Sequence, residues 1–170
     1  KNFGGRRKGY GGKAAVKGNN STIHAIGETP LNGAQQGVAV YYRAFGGTAS
    51  GTVSGNTLTH YQKGGVTVNG AVSASISNNT VAGEGPVAYT AQNGIQVAYG
   101  PKASVTGNKV TGNAYTGPNL ASSAGILVVG GQDYGSDNTM GLTIRKNTLH
   151  GNHNGIDIFN SNARGKLHTP

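Results

Sequence analysis

The residues best suited to chemistry lie near the end of the chain. His150, His153 and Asp157 are close together in the sequence, and Arg164 follows them. A carboxylate beside imidazole and guanidinium groups can abstract a proton at C5 of a uronate, or act as acid and base in glycoside hydrolysis. A purely structural alternative is that Asp157 pairs with Arg164 or caps the last repeat. The sequence nominates these four as candidate catalytic residues.

A cation site is the next candidate. Asp133, Asp137 and Asp157 are three of only 5 acidic residues, and carboxylate oxygens are the ligands that calcium prefers. The sequence therefore allows at most one calcium site, formed by these three residues. His150 and His153 do not form a metal motif, because their spacing converges on a helix and this segment is predicted to be a turn. The absence of Cys excludes disulfides, thiolate catalysis and Cys-based zinc sites.

The charge balance favours anionic partners. The 170 residues contain 14 Lys or Arg and 5 Asp or Glu, a formal net charge of +9. Six of these basic residues lie within positions 1–17, and residues 1–13 resemble a flexible Gly-rich arm that binds polyanions. Nucleic-acid binding rests on charge alone and is not expected. No apolar run is long enough to span a membrane.

Two short patterns recur along the chain and predict how these residues are positioned. Apolar and small or polar residues alternate within each copy, which is typical of strands, and the 31 Gly argue against long helices. Each copy is too short to bury its apolar face alone, so stacked coils are expected. The Gly-aliphatic-x-aliphatic copies begin at Gly37, Gly65, Gly94, Gly125 and Gly155, and the aliphatic-x-x-Asn-x-aliphatic copies contain Asn56, Asn79, Asn108 and Asn147.

Stacking of these copies predicts ladders of identical positions. The recurring Asn is expected at a tight bend, where its amide can bond to the next coil. Unequal distances between the two patterns predict insertions at about 45–48 and 132–138. The expected aliphatic ladders are Val38, Val66, Ile95, Ile126 and Ile156, and Val53, Ile76, Val105 and Ile144.

These patterns resemble those of the right-handed parallel β-helix superfamily, the pectate-lyase-like proteins. The resemblance implies an all-β solenoid of about five coils over residues 14–163, between the arm at 1–13 and a tail at 164–170. It also implies three strands per coil, with ligands along the outer face of the first strand. The superfamily includes polysaccharide lyases, hydrolases, epimerases, phage tailspikes and adhesins, so the fold alone does not define an activity.

Carried over to this chain, the first strands are the Gly-aliphatic-x-aliphatic segments. Their outward residues are then Ala39, Thr67, Gln96, Leu127 and Asp157, followed two positions later by Tyr41, Asn69, Ala98, Val129 and Phe159. Aromatic, amide and cationic side chains on this face and its loops suit the binding of sugar rings and uronate carboxylates. The expected ligand-binding residues are Tyr41, His60, Lys63, Asn69, Tyr89, Gln96, Lys102, Tyr115 and Phe159.

The sequence thus favours a carbohydrate-active protein, extracellular, on a cell surface, periplasmic or on a virion, that binds an acidic polysaccharide. Whether it cleaves or epimerises that polysaccharide, as a lyase, epimerase or glycoside hydrolase, stays open. The alternative is a non-catalytic structural or adhesive solenoid of a filament, phage fibre or surface protein. Neither end of the sequence contains a segment suited to cover an apolar coil edge, so end-to-end association, a trimer or a longer parent chain is expected.

Overall fold

The computed structural model of the protein describes residues 13–161, and within them it has thirteen strands and one short 3-10 helix, Gln132–Tyr134. The strands are β1 (Lys13–Asn19), β2 (Thr22–Ile23), β3 (Val38–Ser54), β4 (Thr57–Thr59), β5 (Gly64–Ser77), β6 (Thr80–Val87), β7 (Asn93–Ala98), β8 (Lys102–Thr106), β9 (Lys109–Tyr115), β10 (Ala124–Gly130), β11 (Thr143–Arg145), β12 (Thr148–His150) and β13 (Asn154–Asn160). The first strand begins one residue before the predicted start of the solenoid.

All strand pairs are parallel, and the chain winds through five coils with three faces. The first face contains residues 38–44, 64–70, 93–98, 124–130 and 154–160. The second contains residues 13–19, 48–54, 72–77, 102–106 and 143–145. The third contains residues 22–23, 57–59, 80–87, 109–115 and 148–150. The predicted all-β parallel β-helix is confirmed.

The aliphatic ladders form the core, because alternate residues of each strand point inward. Val53, Ile76, Val105 and Ile144 are in register on the second face, as predicted. On the first face the prediction for the first coil was wrong: Val40, rather than Val38, opposes Val66. A shift of two residues keeps every side chain on the same side of a strand, so the alternation pattern could not detect the error.

The recurring Asn residues form the predicted ladder between the second and third faces. The side-chain amide of each donates to Oδ1 of the next over 2.9–3.0 Å, through Asn56, Asn79, Asn108 and Asn147. The backbone N–H of the first three also donates to the next Oδ1. These bonds satisfy buried polar groups at each corner and thereby fix the register of the coils.

The recurring Gly lies at the crowded corner where the third face meets the first. A Cβ atom on Gly94 would lie 2.2 Å from Cγ1 of Val110 and 2.7 Å from the carbonyl oxygen of Gly125, and Gly65 is equally enclosed. No side chain fits at such distances, which explains why the aliphatic residue of the pattern follows a Gly.

Both predicted insertions are confirmed. A register shift separates Ala44 from Ala49 within β3, and residues 131–142, which include the 3-10 helix, form a long connection between β10 and β11. No helix in the described part of the chain is long and apolar enough to cross a membrane.

Candidate functional site

The exposed aromatic side chains between residues 13 and 161 all lie on one side of the helix. Tyr41 and Phe159 are on the first face, Phe45 follows the first-face part of β3, and Tyr134 is in the 131–142 connection. Tyr42, Tyr61 and Tyr115 are buried and contribute to no surface. This one-sided distribution identifies the outer surface beside the first face as the candidate site.

Contacts between rings hold the inserted connection against the coils. The ring centroid of Tyr134 is 6.0 Å from that of Tyr99 and 6.0 Å from that of Phe159, the latter edge to face. Gly131 and Gly135, with φ of 107° and 63°, let the chain reverse on either side of the 3-10 helix. The three rings thus form a continuous aromatic surface over coils three to five.

A groove of about 740 Å³ runs beside these rings, where the first face turns into the second. Phe45, Tyr99 and Tyr134 line it, and small residues at its floor keep it open. Gly70 has a φ of +80°, and a Cβ there would lie 2.1 Å from the carbonyl oxygen of Ala44. We call this feature the aromatic groove.

Amide side chains connect the first-face strands next to the groove. Gln96 Nε2 donates to Asn69 Oδ1 over 3.4 Å, and Asn69 Nδ2 donates to the Tyr41 hydroxyl oxygen over 3.1 Å. The structure therefore brings together three predicted ligand-binding residues. Because Asn69 is buried, its amide orients Tyr41, whose own hydroxyl proton remains available to an acceptor.

Charge is distributed unequally around the helix axis. Four of the five acids of the chain lie on the first face or in the connections that enter or leave it: Glu28, Asp133, Asp137 and Asp157. The fifth, Glu84, is in β6 on the third face, where it pairs with His60. On the same side are only two of the described cationic side chains, Arg43 and Lys63. The guanidinium of Arg43 lies 5.0 Å from the centre of the Phe45 ring. The surroundings of the aromatic groove are therefore not basic.

Lys63 has a structural role. Its ammonium group donates to the carbonyl oxygen of Ala91 over 2.6 Å, and burial lowers the pKa of Lys63 from its ordinary value.

The predicted catalytic residues are not assembled into one site. Asp157 points outward from β13, in register with Leu127, and accepts a weak bond of 3.4 Å from the Asn154 amide. His150 lies on the third face opposite Thr111, and His153 is exposed in the turn that follows. Among the described residues no bond joins Asp157 to either imidazole, because the chain turns a corner between β12 and β13. Arg164 lies outside the described residues.

Two predicted ligand-binding residues lie away from the first face, which corrects their placement. Lys102 opposes Ser73 on the second face, because the chain has already turned the corner at Gly100 and Pro101. Tyr115 is 8% exposed and its side chain is enclosed.

His60 and Tyr89 lie at the entrance to the first face. His60 Nδ1 is 3.1 Å from Glu84 Oε1, the only carboxylate–imidazole pair within residues 13–161. Tyr89 is half-buried, and burial together with the charge of Glu84 raises its pKa.

Phe45, Tyr99 and Tyr134 line the groove but were not among the expected ligand-binding residues. Each follows a first-face strand, so the clustering of aromatic residues just after these strands was the available signal. A metal site at Asp133, Asp137 and Asp157 stays an expectation: within the described residues no three acidic or imidazole groups converge. Asp133 instead accepts a hydrogen bond from the Ser161 hydroxyl.

Comparison with known proteins gives one match. A family model described as a right-handed β-helix region matches residues 10–168. No curated protein and no solved structure matches the chain.

Proposed function

The chain belongs to the right-handed β-helix family, and we propose that it uses the aromatic groove to bind a neutral polysaccharide along the helix axis. The proposal is carried by one observation: the four exposed aromatic side chains of the described residues lie on the same side of the helix. Sugar rings present apolar faces that pack on aromatic rings, while their hydroxyls bond to nearby polar groups. Tyr41 and Gln132 supply such groups here.

The length of the exposed aromatic surface supports a chain-like ligand. Phe45 is in the first coil and Phe159 in the fifth, so the aromatic side chains extend over four strand spacings, about 19 Å at about 4.8 Å each. An oligosaccharide segment lying parallel to the axis would contact successive coils. The parallel coils provide a rigid support, which limits the entropy lost on binding.

Charge favours a neutral ligand over the acidic one expected from the sequence. Asp137 lines the groove, Asp133 lies in the same connection, and Asp157 is on the adjacent first face. A uronate chain placed there would bring like charges together, which opposes binding.

We propose binding without catalysis. The carboxylate–imidazole pair of His60 and Glu84 lies where the chain enters the first face, whereas the groove lies where the chain leaves it. General acid and base groups must be within hydrogen-bond reach of the reacting atoms. A ligand in the groove would not meet this pair.

A structural or adhesive solenoid is the second candidate. It is favoured by the outermost described strand, β13, where Ile156 and Ile158 are 47% and 65% exposed. An apolar strand edge of this kind suits pairing with another chain.

Binding of purified soluble glycans, measured by titration calorimetry with xylan, galactomannan, mixed-linkage glucan and polygalacturonate, tests the proposal. We expect a neutral glycan to bind. Tyr134→Ala should weaken this binding by about tenfold, because the exposed ring would no longer pack against a sugar face. Leu120→Ala is the control, since Leu120 is a fully exposed apolar residue outside the groove. Binding of polygalacturonate alone, or equal effects of the two variants, would contradict the proposal.

A further inference from the structure

The second face differs from the first in both charge and composition. Its strands contain no Asp or Glu, and their outward positions are mostly Ser and Thr. Of the side chains that the structure describes, three cationic ones lie among these hydroxyls: Lys17, Lys102 and Arg145. All three are exposed. This surface is therefore cationic and rich in hydroxyl groups.

Strand register arranges these groups in rows parallel to the helix axis. One row contains Lys17, Thr52, Ser75, Ser104 and Thr143. The next ends in Arg145 and contains Ser54, Ser77 and Thr106. Neighbouring groups within a row are separated by about 4.8 Å, the distance between paired strands.

The cations lie towards the two ends of this array. Lys17 is in the first coil, whereas Lys102 and Arg145 are in the fourth and fifth. A shallow groove of about 700 Å³ crosses the hydroxyls between Lys17 and Lys102. A linear ligand along this groove would meet positive charge at both ends and hydroxyls between.

Many of the hydroxyls are available to a ligand. Ser77 donates to Ser54, and Ser104 pairs with Thr106. Within the described part of the chain the side-chain hydroxyls of Ser73, Ser75 and Thr143 bond to no other residue. Each can donate to a sulfate or carboxylate oxygen and accept from a sugar hydroxyl.

From this charge and register we infer a second binding surface, on the second face, for an acidic polysaccharide that carries sulfate or carboxylate groups. The acidic polymer favoured by the net charge is thereby assigned to the second face, whose strands contain no acid, rather than to the aromatic groove. Single-stranded nucleic acid fits less well, because no aromatic side chain lies on this face to stack with bases.

Binding of the full chain to dextran sulfate, with uncharged dextran as the reference polymer, tests this surface. The paired variant Lys102→Glu/Arg145→Glu should weaken binding about tenfold, and affinity of the unchanged protein should fall as salt rises. The control pair, Arg43→Glu/Lys109→Glu, changes the net charge by the same amount as the first pair, but on the first and third faces. We expect the control pair to weaken binding less than about threefold, because salt screens charges that lie far from the bound polymer. Circular dichroism confirms that each variant is folded.

Several outcomes would overturn the inference. Equal losses in the two paired variants would show a nonspecific effect of net charge. No loss in either would place the binding in the terminal segments, which contain six further Lys or Arg residues within 1–12 and 162–170. If DNA displaced dextran sulfate with a phosphate concentration lower than that of the sulfate groups, nucleic acid would be identified as the ligand instead. Tyr134→Ala should leave dextran sulfate binding unchanged, which separates this surface from the aromatic groove.

Discussion

The hydroxyl of Tyr61 donates a 2.7 Å hydrogen bond to Oδ1 of Asn113, 52 residues later in the chain. Both residues are fully buried. Asn113 in turn donates to Oδ1 of Asn152 over 3.0 Å. This network connects coils two, four and five through the interior, so it complements the Asn ladder at the other corner of the third face.

We expect Tyr61→Phe to lower the free energy of unfolding by about 1–3 kcal/mol, because it leaves a buried acceptor on Asn113 without its donor. Urea unfolding followed by circular dichroism measures the change. Tyr134→Phe, which removes an exposed hydroxyl, should change stability by less than about 0.5 kcal/mol. Equal effects of the two substitutions would show that the buried bond contributes little.

Stability should fall in alkaline solution. Burial raises the pKa of Tyr61 above its ordinary value, and Tyr42, Tyr89 and Tyr99 shift in the same direction. Above about pH 10 the unfolded chain releases the Tyr61 proton while the folded chain retains it, so unfolding becomes more favourable as pH rises. The contribution of Tyr61 is complete below that pH and lost above it.

Urea unfolding at several pH values between 8 and 11 tests this expectation. One retained proton corresponds to about 1.4 kcal/mol per pH unit above the unfolded pKa. Tyr61→Phe should therefore flatten the decline. A decline of the same steepness in the variant would exclude Tyr61 as its source.

The enclosed glycine corner gives a matched pair of substitutions. Gly94→Ala places a methyl group within 2.2 Å of the Val110 side chain, whereas a Cβ on Gly155 meets only Leu149 at 3.7 Å. We expect Gly94→Ala to destabilise the protein by about 1–3 kcal/mol through overpacking, and Gly155→Ala to be nearly neutral. Thermal unfolding of both variants measures the difference; equal melting temperatures would contradict the proposed crowding.

Self-association should depend on the apolar edge of β13. We expect concentration-dependent oligomers in analytical ultracentrifugation, and expect Ile158→Glu to shift them to monomer because charge on a strand edge opposes pairing. Thr148→Glu introduces the same charge at an outward position of the same coil and should have little effect. A monodisperse monomer of the unchanged protein at high concentration would refute this expectation.

Most of the fold followed from local pattern. Val53, Ile76, Val105 and Ile144 could be aligned because the same short pattern surrounds each one, with an Asn three residues later. The first coil could not be aligned, because Ala39 takes the place of the repeated Gly in the observed register, and Gly37 precedes the strand.

The candidate site was less predictable, because it depends on insertions that have no counterpart in the other coils. The contact of Tyr134 with Tyr99 and Phe159 requires the 131–142 connection to fold back over the coils. Alternation carries no information about such a path. Proximity in sequence was equally misleading for His150 and Asp157, because one tight turn places them on different faces.

The uneven charge of residues 13–161 around the axis produces an electric dipole across the width of the helix. Four of the five acids lie on the first face or in its connections. The cations Lys17, Lys102, Lys109, Arg145 and Lys146 lie on the second or third face or at the corner between them. Near an anionic matrix the field would rotate the molecule before contact, so that the hydroxyl rows face the matrix and the first face stays accessible. A molecule adsorbed in that orientation would hold two chemically different polymers on adjacent faces of the helix.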